Sequence, residues 1–149
     1  MHDLFDAESR RSILQRLDRV DAASQRQWGK MDPAQMMGHC SIALEAATGD
    51  QPKKHSLVGK LLGWMVRRKV LSDAPFSRNM PTDPTFVISD GRDFAREKVR
   101  LVGLIQRFVD LGPDSAGRQV HSFFGTLTGA EWGRLMGKHL DHHLRQFGA

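Results

Sequence analysis

The sequence predicts an all-α protein, a four-helix bundle with one additional helix and long loops. Three observations carry this. Capping residues recur just ahead of apolar runs of helical period, prolines and glycines fall between those runs, and alternating strand patterns are scarce. At 149 residues the chain is expected to be one domain, 1–149, large enough to bury a core without disulfide staples.

The first helix is predicted over residues 6–21, where Ile13, Leu14, Leu17 and Val20 recur at helical spacing. Asp21 to Lys30 is polar apart from Trp28 and turns the chain. Asp32 can cap a second helix, with Pro33 in its first turn and Gln35 at the capping-box position. That helix runs to about Thr48 and ends at Gly49. A third is expected from Ser56 to Leu71, with a broad apolar face of Leu57, Leu61, Leu62, Trp64, Met65 and Val66. Pro75, Pro81 and Pro84 make 73–89 irregular, with Phe86-Val87-Ile88 a candidate extended piece. The fourth helix starts near Ser89 or Asp90, buries Phe94, Leu101, Val102, Ile105, Phe108 and Val109, and stops at Gly112-Pro113. A loop follows to Leu127. Thr128 and Glu131 then form a second capping box, opening a last helix to about Phe147.

Composition narrows the function classes. Apolar content of 40% with 26% charge belongs to an ordinary globular chain, not a disordered or fibrous one. A single cysteine, Cys40, cannot close an internal disulfide, so the fold does not depend on an oxidising compartment. The N-terminus lacks the apolar centre of a signal peptide. The longest apolar stretch, Leu57 to Val66, contains Lys60 and is too short to span a bilayer. A cytoplasmic protein without a membrane partner is expected. The net charge of +5 gathers densely only at Arg67-Arg68-Lys69, at a helix end where cations complement the helix dipole. That placement argues against nucleic acid as a partner. The third helix, apolar with a basic end, is a candidate for homodimer contacts.

The last helix carries His139, His142 and His143. His139 and His143 are four apart and stack on one face, the spacing at which two imidazoles chelate one ion. Trp132, Leu135, Met136, His143 and Gln146 all lie within about 60° of His139, so the strip facing the interior is apolar except for His139, His143 and Gln146. Buried polar groups need partners, and a metal is one efficient partner for paired imidazoles. A third ligand is available in His39, on the apolar face of the second helix with Gln35, Met36, Ile42, Ala43 and Ala46. A core of hydrogen-bonded histidines is the alternative to this three-histidine site.

Around it stand weaker candidates. Gln146, a candidate cofactor-binding residue, either hydrogen-bonds a ligand imidazole or a metal-bound water, or lies in solvent. His142 can replace His143 by i,i+3 convergence but sits on the flank, and Asp141 points off the metal face as a solvated charge. Cys40 faces another direction from His39 and reads as core. His121 either lines the mouth of the site or anchors a loop. Trp28, Trp64 and Trp132 read as core, and His2 and His55 carry no signal.

The stretch Trp28-Gly-Lys-Met-Asp-Pro-Ala-Gln-Met-Met-Gly-His39, with His139-x-x-x-His143-x-x-Gln146, resembles the DinB-like (YfiT-like) superfamily of metalloenzymes. The resemblance spans most of the chain. It implies a four-helix bundle of DinB-like type and a metal held by His39, His139 and His143. Many relatives carry His-Arg-Gly-Gln in the last helix, where this chain has His143-Leu-Arg-Gln146. The glutamine register is kept and the Arg-Gly pair is not, and the ending, His121-Ser-Phe-Phe-Gly-Thr-Leu-Thr followed by Lys138-His-Leu-Asp-His-His-Leu-Arg-Gln-Phe, is more similar to an uncharacterised branch of that superfamily. Neutral imidazoles suit zinc, nickel, iron or copper, and three protein ligands leave room for water or substrate. By resemblance, a low-molecular-weight thiol is a candidate cofactor.

The expected function is therefore a metal-dependent enzyme acting on a small molecule, as a thiol-dependent S-transferase or isomerase or as a hydrolase. The rival is a non-catalytic or stress-related bundle with a structural or vestigial metal site. Metal binding should weaken as pH falls through about 6.5, where free imidazoles protonate.

Overall fold

Each helix begins where a short side chain takes up a free backbone N–H. Asp6 accepts from Ser9 N, Asp32 from Gln35 N, Ser56 from Gly59 N, Asp93 from Arg96 N and Thr128 from Glu131 N. Both capping boxes form as the sequence predicts. The computed structural model describes residues 2–80 and 83–149, so the expectation for Pro81 lies outside the described residues. Among them the chain is mostly helical: α1 (Ala7–Asp18), α2 (Pro33–Thr48), α3 (Leu57–Val70), a 3-10 turn (Pro84–Phe86), α4 (Phe94–Ala116) and α5 (Gly129–Gln146). A small antiparallel hairpin, β1 (Val120–His121) and β2 (Gly125–Thr126), precedes α5 and pairs Val120 with Thr126 and His121 with Gly125.

Helix α2 is central. Pro33 occupies its first turn, Gly49 closes it at φ 84°, and all but three of its residues are buried. Its small residues let neighbours approach closely. α1, α4 and α5 supply most of the remaining core, including Ile13, Leu17, Leu101, Ile105, Phe108, Trp132 and Leu144. α3 contributes only Val70 to it. Arg100 ties α4 to α2 by binding Glu45 and, on its own helix, Glu97, which also meets Arg92. Glu97 is 5% exposed, so these two guanidinium contacts offset the cost of burying its charge.

Several boundaries differ from the prediction for local reasons. α1 ends at Asp18, although Val20 beyond it is still buried. α4 starts at Phe94 rather than near 89 or 90, because Asp93 provides the cap. The helical path breaks at Gly112 (φ 75°, ψ 171°) as predicted, but one further turn follows from Pro113 to Ala116. On α4 the inward stripe is Leu101, Leu104, Ile105 and Phe108, an i, i+3, i+4, i+7 set. Val102 lies off that stripe and is exposed, while Phe94 and Val109 are half-buried. Phe86 closes the 3-10 turn, and the chain then extends with Val87 outward and Ile88 inward. Trp64, expected in the core, is 74% exposed.

Candidate metal centre

His139 and His143 lie one turn apart on α5, and the face predicted for them is the inward one: Trp132, Leu135, Met136, His143 and Gln146 are all buried. α2 brings His39 against that face. The three Nε2 atoms converge, with His39 to His139 at 2.9 Å and His143 to His139 at 3.2 Å. Each residue offers a ring nitrogen within 4.8 Å of the others.

The outer nitrogens decide what the inner ones carry. His39 Nδ1 is 2.8 Å from the Phe86 carbonyl, an acceptor only, so it must be protonated and donate. Gln146 Nε2 donates to the Trp28 carbonyl at 2.8 Å, which turns its Oε1 toward His143 Nδ1 at 2.9 Å. His143 Nδ1 is therefore a donor as well. Both rings are neutral Nδ1–H tautomers, with Nε2 lone pairs aimed at His139. A single N–H on His139 Nε2 can satisfy one of these lone pairs and leaves the other facing nitrogen. A shared cation would resolve the conflict, and the three residues are placed so that they could hold one. Metal–imidazole bonds of about 2.1 Å in tetrahedral array separate nitrogens by about 3.4 Å, a few tenths more than the 2.9 and 3.2 Å spacings here.

The electrostatics select the ligating form. Burial pushes the His39 imidazole below its ordinary range, with the Phe86 carbonyl opposing. Burial pushes His139 further down, helped by His143 and His39. Burial, reinforced by His39, lowers His143 to about 3 against the opposing bond to Gln146. All three are neutral at pH 7, the state that binds metal. His39 and His143 are buried, and His139 is half-buried.

The remaining candidates divide clearly. Gln146 is buried at 3% exposure and clamps His143, not exposed to solvent. His142 stands outside the converging set, half-buried between Trp28 and Phe76 at ring distances of 5.7 and 5.9 Å. Asp141 is not a solvated charge. It is 5% exposed and ion-paired with Arg16 at 2.7 Å, with His2 3.6 Å away, tying α5 to α1 and the N-terminus. Cys40 is core, and burial raises its thiol above the ordinary range. His121 anchors the hairpin: its Nδ1 accepts from the Phe123 and Phe124 amides, and its ring packs on Trp132 at 5.4 Å. Trp132 is fully buried, and Trp28 is half-buried.

Two contributors escaped the sequence, the carbonyls of Phe86 and Trp28, because a backbone acceptor has no residue-type signature. Gly29 is their one indirect trace. It adopts φ 79°, and a Cβ there would collide with the Gln146 amide.

No curated protein and no solved structure matches this chain. A family model described as a protein of unknown function, DUF1569, matches residues 3–149, a span that contains His39, His139, His143 and Gln146. The chain belongs to the DUF1569 family.

Proposed function

We propose that His39, His139 and His143 hold one divalent transition-metal ion, and that the chain is a metal-dependent enzyme acting on a small molecule. The convergence of three Nε2 atoms, two of them fixed as lone-pair donors by Phe86 and Gln146, carries this reading. On this reading α1, α2, α4 and α5 form a four-helix bundle of the DinB-like type, to which α3 is the additional helix. The support is that these four helices supply most of the core while α3 supplies one residue.

A zinc, nickel or iron ion in this site supplies Lewis acidity and lowers the pKa of a water or thiol that reaches it. The protein's part is positional. Phe86 and Gln146 hold two imidazoles rigid. The half-buried rings of Trp28, Phe76 and His142 offer walls for a small molecule beside His143, whose ring is 5.1 Å from that of His142. Thiol transfer or isomerisation suits such a site, because with an ion held by His39, His139 and His143 these reactions would need no side-chain base.

A specific observation favours the second reading, a structural site without catalysis. The metal-capable group found among the described residues contains histidines only, with no carboxylate to move protons. Elemental analysis of protein purified without a histidine tag tests both readings. About one ion per chain is expected, lost in His139→Ala; a metal-free wild type overturns both. A small ligand that perturbs the spectrum of a cobalt-loaded site then favours the enzyme, and an inert spectrum favours the scaffold.

A further inference from the structure

We propose that α3 docks the protein on an anionic lipid surface, lying in the headgroup layer with an apolar ridge inserted. The inward face of α3 is made of Gly59, Gly63 and Val70. Both glycines press on the Phe123 carbonyl, where a Cβ would collide. Seating the helix by its glycines forces the large apolar side chains outward. Leu57, Leu61, Trp64 and Met65 fall at i, i+4, i+7 and i+8 and are 78, 72, 74 and 60% exposed. Val58 and Leu62 flank them and are also exposed. The pose is held at its end: Arg67 bonds both Glu131 carboxylate oxygens at 2.9 Å, and Lys138 binds the Val70 and Ser72 carbonyls at 2.7 Å.

The charge around the ridge selects the occupant. Between residues 52 and 72 lie Lys53, Lys54, Lys60, Arg67, Arg68 and Lys69, and no carboxylate. A two-fold antiparallel pairing of α3 with a second copy would set Arg68 and Lys69 of one chain against Lys53 and Lys54 of the other, which repel. A negatively charged surface complements the exposed Lys54, Lys60, Arg68 and Lys69, while Arg67 is already paired with Glu131, and a helix with an apolar face and flanking cations partitions into such an interface. Trp64 suits this role further. Its indole N–H donates to the Leu61 carbonyl at 3.1 Å, so the ring can enter an apolar layer without stranding a donor. The ridge residues Leu57, Leu61, Trp64 and Met65 present hydrocarbon, thioether and indole, and Arg68 continues their line at the basic end, where it can reach a headgroup. No helix among the described residues is long and apolar enough to cross a membrane. Docking through α3 departs from the expectation of no membrane partner, and it requires neither the metal nor the enzyme reading.

Vesicle sedimentation of the full chain tests the inference. Wild type should partition onto phosphatidylcholine vesicles containing roughly one-third phosphatidylglycerol, not onto pure phosphatidylcholine, and less as salt is raised. Leu61→Glu and Trp64→Glu should abolish binding. Val99→Glu, an equally exposed apolar site on α4, should not. Arg68→Gln or Lys69→Gln should each lower partitioning roughly fivefold. Unchanged melting of these surface variants confirms that they fold. The proposal is overturned if wild type ignores the anionic vesicles, if Leu61→Glu binds like wild type, or if sedimentation velocity reveals a dimer that Leu61→Glu dissociates.

Discussion

Gln146 connects a backbone carbonyl contributed by the loop before α2 to a ring nitrogen on α5. Its amide has one orientation because Trp28 accepts from Nε2, and that orientation fixes the tautomer of His143. Outer partners of this kind typically tune metal affinity by 10- to 100-fold. Gln146→Leu should therefore weaken metal binding by about that range and cost about 1–3 kcal/mol of stability, since two buried groups lose their partners. Competition with a chromogenic chelator measures the first effect and urea denaturation the second. Unchanged affinity with reduced stability would make Gln146 a packing residue only. The register of Gln146 three residues after His143 is visible in the sequence. Its choice between ligand support and solvent is not, because Trp28 is 118 positions away.

At the level of elements, starts are legible and faces are less so. Asp32 with Gln35 and Thr128 with Glu131 mark α2 and α5 because capping is a contact over three residues. α3 shows the limit. Its apolar residues look like a core face, yet Gly59 and Gly63 take the inward position and send them to solvent. Its far end depends on Lys138, a buried cation of α5 that donates to Val70 and Ser72 and lies over the Phe76 ring at 4.6 Å. Burial lowers the Lys138 ammonium's pKa from its usual range. Lys138→Met should cost about 1–3 kcal/mol by stranding those carbonyls, and should loosen the end of α3. Denaturation and hydrogen exchange across residues 66–72 measure this; full protection there in the variant would show that α3 stands without the lysine.

For the whole molecule, buried neutral histidines link stability to pH. Burial and neighbouring His39 hold His143 near 3; burial holds His121 near 4 against the pull of Asp83. Both values lie below the unfolded 6.5, so the unfolded chain binds more protons as pH falls from 6.5. Stability is then lost progressively from pH 6.5 down to about 4 for His121 and about 3 for His143, by up to about 1.4 kcal/mol per pH unit for each group, and is fully present above pH 6.5. Melting of metal-free protein from pH 7.5 to 4 should show this fall, and a flat profile would refute it. Because the folded pKa values are depressed, proton competition for the metal belongs well below the pH of about 6.5 expected for free imidazoles.

The sequence by itself determined the helices, the capping boxes of α2 and α5 and the histidine face of α5, since hydrogen bonds over three or four residues and a 3.6-residue period are local properties. It also nominated His39 as the partner of His139 and His143, because a polar residue on an apolar stripe requires an explanation wherever it packs. Tertiary structure alone decided the rest. It brought the Phe86 and Trp28 carbonyls to the outer nitrogens, paired Asp141 with Arg16, and turned the apolar side of α3 outward. Each of these depends on a contact between distant segments, and neither residue type nor spacing encodes which backbone carbonyl or which pair of glycines will meet there.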